Sequence, residues 1–309
     1  MKIGFMGTPD FAVPVLEALI SAGHQICCVI TQPDRARNRG KKVIFSPVKT
    51  AAVEHGIDVL QPEKIKGDET VFRFLQEQNP DIIVVAAYGQ IIPKSILDLP
   101  KYGCVNVHAS LLPKLRGASP IQHAILQGER ETGVTIMQMA EGLDTGDMIA
   151  KVRTEVGRKN GQELHDELAH LGAELLTETL PLIEAGKIAP EKQDDSMATY
   201  AGLITKGDGK IDFSRTPQEI ERQIRAFDPW PGAYCGYGDG QMKIWKAECL
   251  DGERKGVPGE ICGVSDEGID ILCGGGILRV EEIQLPGKKR IEVKAFLRGN
   301  FIEKGRILG

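Results

Sequence analysis

The run Asp81-Ile82-Ile83-Val84-Val85-Ala86-Ala87 constrains the fold more than any other stretch. After Asp81 it is apolar at every position, so it has no polar face to offer water. A strand of this kind has to be covered on both sides, as in a parallel sheet packed between two layers of helices. The flanking sequence supplies those layers. Residues 3–6, 25–30, 57–60 and 104–108 read as further strands, with amphipathic stretches between them. Asp10 is placed to cap a helix over 10–22. Ser46-Pro47 opens one that stops at Gly56, a third covers 69–78, and Ser119-Pro120 opens a fourth ended by Gly128. This βα alternation predicts an α/β fold, doubly wound about a mostly parallel sheet.

The pattern then changes. Residues 133–139 and 148–155 read as strands joined by the turn-rich loop Glu141-Gly142-Leu143-Asp144-Thr145-Gly146-Asp147. A long helix follows over about 162–185, with Pro181 placed to kink it. Residues 190–209 are polar and aperiodic and read as a linker. Beyond it come one helix over 217–226 and short strands over 241–247, 269–273 and 277–283, divided by glycine turns. Close spacing of short strands predicts a small antiparallel barrel or sandwich.

A length of 309 residues allows one large domain or two ordinary ones. No apolar run is long enough to cross a bilayer, and the N-terminal stretch has no signal-peptide pattern. Seven cysteines without a C-x-x-C pair fit free thiols in a reducing compartment, so a cytoplasmic location is expected. No self-association signature is present, and a monomer is the default. The net charge of −5 argues against coating nucleic acid by bulk charge. Local basic surfaces remain. Arg35, Arg37, Arg39, Lys41, Lys42 and Lys49 lie in one short segment after the second strand, and a second basic cluster crowds residues 288–306.

Several short motifs carry little. Gly4-Phe5-Met6-Gly7-Thr8-Pro9 sits where a dinucleotide loop would but lacks its glycine spacing, so a nicotinamide cofactor is not expected. Asp144-Thr145-Gly146 matches the aspartic-protease string, but that chemistry needs two carboxylates sharing a proton and no second copy occurs. His165 and His170 are five apart on a helix and share no metal-binding face, so no metal is expected.

Cys104-Val105-Asn106-Val107-His108-Ala109-Ser110-Leu111-Leu112-Pro113 is different. Two-residue spacing on a strand puts Asn106 and His108 on one face, and Pro113 ends the regular structure. An amide and an imidazole at the carboxyl end of a parallel strand lie where open α/β sheets bind ligands. Together they can hold a carbonyl oxygen and move a proton.

These residues carry a resemblance that covers essentially the whole chain. Gly7-Thr8-Pro9-Asp10-Phe11-Ala12, Thr31-Gln32-Pro33-Asp34-Arg35, Gly40-Lys41-Lys42 and Ser46-Pro47-Val48-Lys49 resemble the methionyl-tRNA formyltransferase family. So do Asn106-Val107-His108, Ser110-Leu111-Leu112-Pro113 with Arg116-Gly117, Leu143-Asp144-Thr145-Gly146-Asp147 and Arg225-Ala226-Phe227-Asp228-Pro229-Trp230-Pro231. Asn-x-His, Ser-Leu-Leu-Pro and the later Asp are shared by all formyltransferases that use 10-formyltetrahydrofolate. The basic loop points to the tRNA branch.

The resemblance implies a Rossmann-like formyltransferase domain over 1–189, a linker over 190–206 and an OB-like β-barrel over 207–309 that assists tRNA binding. It implies transfer of a formyl group from 10-formyltetrahydrofolate to the α-amino group of methionine on initiator methionyl-tRNA. Asn106, His108 and Asp144 are the implied catalytic residues. The folate is implied to lie against Ile91, Ile92, Ser110, Leu111, Leu112 and Pro113, and the tRNA against Arg35, Arg37, Arg39, Lys41, Lys42 and Lys206. Asp144 either orients a protonated His108 or holds a water that shuttles the proton. A sugar-nucleotide N-formyltransferase would share the trio but lack the basic loop. A folate hydrolase or dehydrogenase would usually carry other domains, and a non-catalytic RNA-binding module would have no use for the trio.

Overall fold

The computed structural model describes the chain apart from residues 38–41 and 253–254, and apart from the side chains of 35–37, 42 and 43. The chain divides into two compact units. One comprises Met1–Pro120, Glu131–Glu155 and His165–Gly202, and the other comprises Ile121–Arg130, Val156–Leu164 and Leu203–Gly309. In chain order the elements are β1 (Lys2–Gly7), α1 (Ala12–Ser21), β2 (Gln25–Ile30), β3 (Arg35–Arg37), β4 (Lys42–Ile44), α2 (Pro47–Glu54), β5 (Val59–Leu60), α3 (Glu69–Gln78) and β6 (Ile82–Ala86). They continue with α4 (Lys94–Leu97), β7 (Cys104–His108), β8 (Arg116–Gly117), α5 (Pro120–Leu126), β9 (Glu131–Gln138), β10 (Met148–Glu155), α6 (Gly161–Glu184) and β11 (Tyr200–Ala201). Last come α7 (Pro217–Ala226), β12 (Ala233–Tyr237), β13 (Gly240–Leu250), β14 (Ile261–Ser265), β15 (Gly268–Cys273), β16 (Gly276–Gln284), β17 (Ile291–Glu292) and α8 (Val293–Leu297).

The first unit is built on a seven-stranded sheet of order β10-β9-β7-β6-β1-β2-β5. Its five strands from β7 to β5 are parallel, β9 runs antiparallel to β7, and β10 runs antiparallel to β9. Every residue of Ile82–Ala86 is buried, so the two-faced apolar run does lie inside a covered sheet. The chain leaves β1 toward β2 on one side and returns to β6 on the other, so the order reverses beside β1 and opens a crevice at the carboxyl ends of the strands.

Local sequence accounts for most helix boundaries. Ser46 accepts a hydrogen bond from the Lys49 N–H, with Pro47 opening α2, and Asp68 caps α3 through the Val71 N–H. Asp10 departs from expectation. The helix begins at Ala12, Phe11 already has helical angles, and no side chain caps it. The Asp10 carboxylate lies instead 3.4 Å from His165 Nε2, whose ring packs edge-on against Phe11.

In the second unit, β12-β13-β16-β15-β14 form an antiparallel sheet, with β17 paired to β16. Its core includes Ile220 and Ile224 of α7 together with Ile244, Ile271, Leu278 and Val280. Thr216 and Glu219 form a reciprocal capping box at the start of α7. Residues 305–309 link the two outer strands. The Arg306 carbonyl accepts from the Ile261 N–H, the Gly305 and Leu308 N–H groups donate to the carbonyls of Ile261 and Gly259, and the Gly309 carbonyl accepts from the Gly236 N–H in β12. The segment thus covers part of both outer edges of the sheet. Residues 156–164 and 121–130 join this unit through contacts such as Gln162 N to Asp228 O at 3.1 Å and Arg225 Nη1 to Lys159 O at 2.9 Å.

Candidate active site

β7 delivers Asn106 and His108, and the turn before β10 delivers Asp144, so residues 38 apart in sequence meet. His108 Nδ1 lies 3.7 Å from Asp144 Oδ2, and Asn106 Nδ2 lies 3.5 Å from Asp144 Oδ1. Neither contact is tight. The firm hydrogen bond to this carboxylate comes from the backbone N–H of Gly117, at 2.8 Å from Oδ2. The contacts of Asn106 and His108 Nδ1 to this carboxylate are long enough to shorten when a substrate binds. His108 is 6% exposed, and its Nε2 lies 3.1 Å from the carbonyl oxygen of Leu115. A carbonyl can only accept, so Nε2 carries a hydrogen in this geometry. Nδ1, the nitrogen facing Asp144, is then the one that can gain or lose a proton.

The loop after β7 is fixed from within. Thr135, paired across the sheet with His108, donates its hydroxyl to Ser110 O at 2.7 Å and accepts from the Leu112 N–H at 3.1 Å. Ser110 Oγ donates to Lys114 O at 2.6 Å. Leu112 packs with Met137, Met148 and Met139 in an apolar cluster next to the polar trio. A polar group of three beside an apolar floor can polarise a carbonyl while holding a flat, largely apolar molecule. Among the described residues no group of three or more His, Cys, Asp or Glu is placed to hold a metal ion, and no helix is long and apolar enough to cross a membrane.

The family model "Formyl transferase" matches residues 1–180, and "Formyl transferase, C-terminal domain" matches residues 203–300. The chain belongs to the formyl transferase family. A methionyl-tRNA formyltransferase of Alkaliphilus oremlandii is 51% identical over 310 residues, covering all of both chains. Among solved structures, HypX of Aquifex aeolicus in complex with tetrahydrofolic acid superposes with a TM-score of 0.61 at 19% identity, over 97% of this chain and 47% of that one. The methionyl-tRNA formyltransferase of Clostridium thermocellum superposes with a TM-score of 0.55 at 19% identity, over 82% and 95%. At such identities the superpositions speak for the fold.

In this formyl transferase the other expected residues are spread more widely. Ser110 and Leu112 are buried, while Leu111 and Pro113 are half-buried. Ile91 and Ile92 diverge: Ile91 is 86% exposed, and Ile92 is 5% exposed and belongs to the core under β6. Arg39 and Lys41 lie outside the described residues. Arg35, Arg37 and Lys42 lie on β3 and β4, which pair with each other, Arg37 opposite Lys42. Lys206 is exposed, at the start of a short 3-10 turn in the second unit.

The sequence reading misses two residues. Arg116 enters it only as part of a motif, yet its side chain is 2% exposed and bonded to Gln193 and Asp195. Gln193, in the stretch read as a linker, donates to the carbonyl oxygens of Asp144 and Gly146, each at 2.7 Å. A polar aperiodic stretch gives no sign of such contacts. The close approach of Gly117 to that stretch leaves a trace only as a glycine.

Proposed function

We propose that this chain transfers the formyl group of 10-formyltetrahydrofolate to the α-amino group of methionine on initiator methionyl-tRNA. The observation that carries the reading is the meeting of Asn106, His108 and Asp144 at the carboxyl edge of the sheet. It stands in a chain half-identical, end to end, to proteins named for this reaction. The amine nitrogen attacks the formyl carbon, a C–N bond forms, and the carbonyl oxygen becomes negative. The bond to the folate nitrogen then breaks, and the proton lost by the amine passes to that nitrogen. Asn106 donates to the oxyanion, a role worth about 3 kcal/mol of barrier for one preorganised donor. His108, with Nε2 tied to Leu115, acts through Nδ1, either taking the amine's proton or passing it through a water held by Asp144.

Ile91 and residues 110–113 form the folate slot together with backbone around 139–143, and Ile92, in the core under β6, anchors Ile91. Residues 1–189 carry catalysis and 207–309 assist with tRNA, joined through 190–206. Arg35, Arg37, Arg39, Lys41, Lys42 and Lys206 hold the phosphate backbone of the acceptor end. The enzyme works as a cytoplasmic monomer. One assay tests the reading: incubate with formyl-labelled folate and charged initiator tRNA, and follow label into methionine. Label that enters a sugar-nucleotide amine instead of methionine would replace this reading with a sugar N-formyltransferase.

A further inference from the structure

We propose that Gln193 is a positioning residue for the catalytic site, holding Asp144 where its carboxylate can face His108; this rests on the formyl-transfer reading above. The Gln193 side chain uses its whole hydrogen-bonding capacity. Its two N–H groups go to the carbonyl oxygens of Asp144 and Gly146 at 2.7 Å each. Its oxygen accepts from Arg116 Nε at 3.0 Å and Nη2 at 2.8 Å. Arg116 decides which way the amide points, because a flipped amide would set N–H groups against a buried guanidinium and oxygen against two carbonyls. Arg116 Nη2 also reaches Asp195 Oδ1 at 2.7 Å, so its buried charge is balanced from the same segment.

The grip falls where the backbone needs one. Asp144 has φ +52°, in the left-handed region that side-chain-bearing residues seldom occupy. Gly146 is pressed so closely on Gln138 that an added Cβ would lie 1.6 Å from its carbonyl oxygen. The turn is thus tight, and Gln193 bonds to carbonyls on both sides of Thr145.

The segment carrying Gln193 is itself anchored at each end. Glu191 and Met148 exchange two backbone hydrogen bonds of 2.8 Å. Thr199 accepts from the Leu115 N–H at 2.9 Å, and Tyr200–Ala201 pairs in parallel with Arg116–Gly117. Leu115 supplies the carbonyl facing His108, and Gly117 supplies the N–H bonded to the Asp144 carboxylate. One segment therefore holds Asp144 by its backbone and supports the strand that holds its side chain. It falls in the gap between the two family-model matches, which end at 180 and begin at 203.

The test is Gln193→Glu in the full chain. Glutamate keeps oxygen for Arg116 but puts oxygen, not N–H, against the two carbonyls. Displacement of a catalytic group on the scale of 1 Å costs roughly 100-fold in kcat, so that loss is expected, with KM for both substrates near wild type and Tm lowered by the two lost hydrogen bonds. In an Asp144→Ala background the same substitution should cost nothing further. An equal loss in both backgrounds overturns the proposal, because Gln193 would then act elsewhere. Gln193→Asn, too short to span both carbonyls, is the second variant should the first fail to fold, and it should behave in the same way. A crystal structure of either variant adds a readout independent of turnover: Asp144 moved off Gly117 N and His108 supports positioning, and Asp144 unmoved overturns it. Wild-type enzyme inactive on charged tRNA would sink the formyl-transfer reading and leave the crystallographic arm to decide the role of Gln193.

Discussion

Lys49 and Asp34 form an ion pair at the foot of the paired strands β3 and β4, Asp34 just before the first and Lys49 five residues beyond the second. Both side chains are mostly buried, at 15% and 16% exposure. Gln61 binds both: its Oε1 lies 2.6 Å from Lys49 Nζ, and its Nε2 donates to Asp34 Oδ1 at 3.0 Å. Phe45 lies beneath the ammonium at 4.0 Å. The clamp sets the footing of the basic segment, so Lys49→Met should raise KM for charged tRNA several-fold and leave KM for folate unchanged. Losing hydrogen bonds to a charged group costs about 1.5–3 kcal/mol, readable by denaturant titration. Equal effects on the two Michaelis constants would separate the clamp from tRNA binding.

His108→Ala should lower kcat by about 10²–10⁴, together with a lowered Tm from the cavity left by the buried ring and its lost bond to Leu115. Asn106→Ala should lose about 10²–10³. Single-turnover formylation measures both, and full activity in either variant would remove that side chain from the chemistry.

Burial pushes the His165 ring toward neutrality, but its hydrogen bonds to Asp10 and Asp166 outweigh this and raise its pKa above the ordinary value. The His165 hydrogen bond in turn lowers that of Asp10. A raised histidine stabilises the fold fully below its unfolded pKa, about 6.5, and loses that contribution as pH rises through the folded value. The Asp10 contribution runs the other way, present above the unfolded carboxylate pKa and lost as pH falls through the lowered one. The Tm gap between wild type and His165→Gln should therefore be wider at about pH 5.5 than at about pH 8.5, with a constant remainder from packing on Phe11. A gap independent of pH would mean that the ring's charge does not matter there.

Gly146→Ala should disable the site through the backbone. The added Cβ has no room against Gln138 O, so the turn carrying Asp144 must shift. We expect kcat to fall more than KM changes, together with a lowered Tm. Wild-type turnover in the Gly146→Ala enzyme would show that the Asp144 turn tolerates displacement.

Elements with a strong period or a plain cap are legible in the sequence. The parallel core follows from 82–86, and α2 from its Ser-Pro start. The nearness of Asn106 to His108 follows from strand geometry, whereas their meeting with Asp144 needs the family pattern, because tertiary folding alone closes that distance. Asp10 reads wrongly as a cap because a carboxylate before a helix looks the same whether it serves the helix or a distant histidine. β12, β14 and β17 escape the sequence reading because β12 and β14 carry a glycine that breaks their pattern and β17 has two residues. Gln193 is hidden because one amide bonding to backbone leaves no periodicity behind.

The segment 191–201 changes where formyl transferases can be recombined. A chimera joined at residue 190, after the last turn of α6, takes Asp144 and Arg116 from one parent and the Gln193–Ala201 brace from another. Such a hybrid can fold in both halves and still be slow, with its defect in turnover instead of substrate recognition. A joint placed after Ala201 keeps the brace and the turn it holds in one parent.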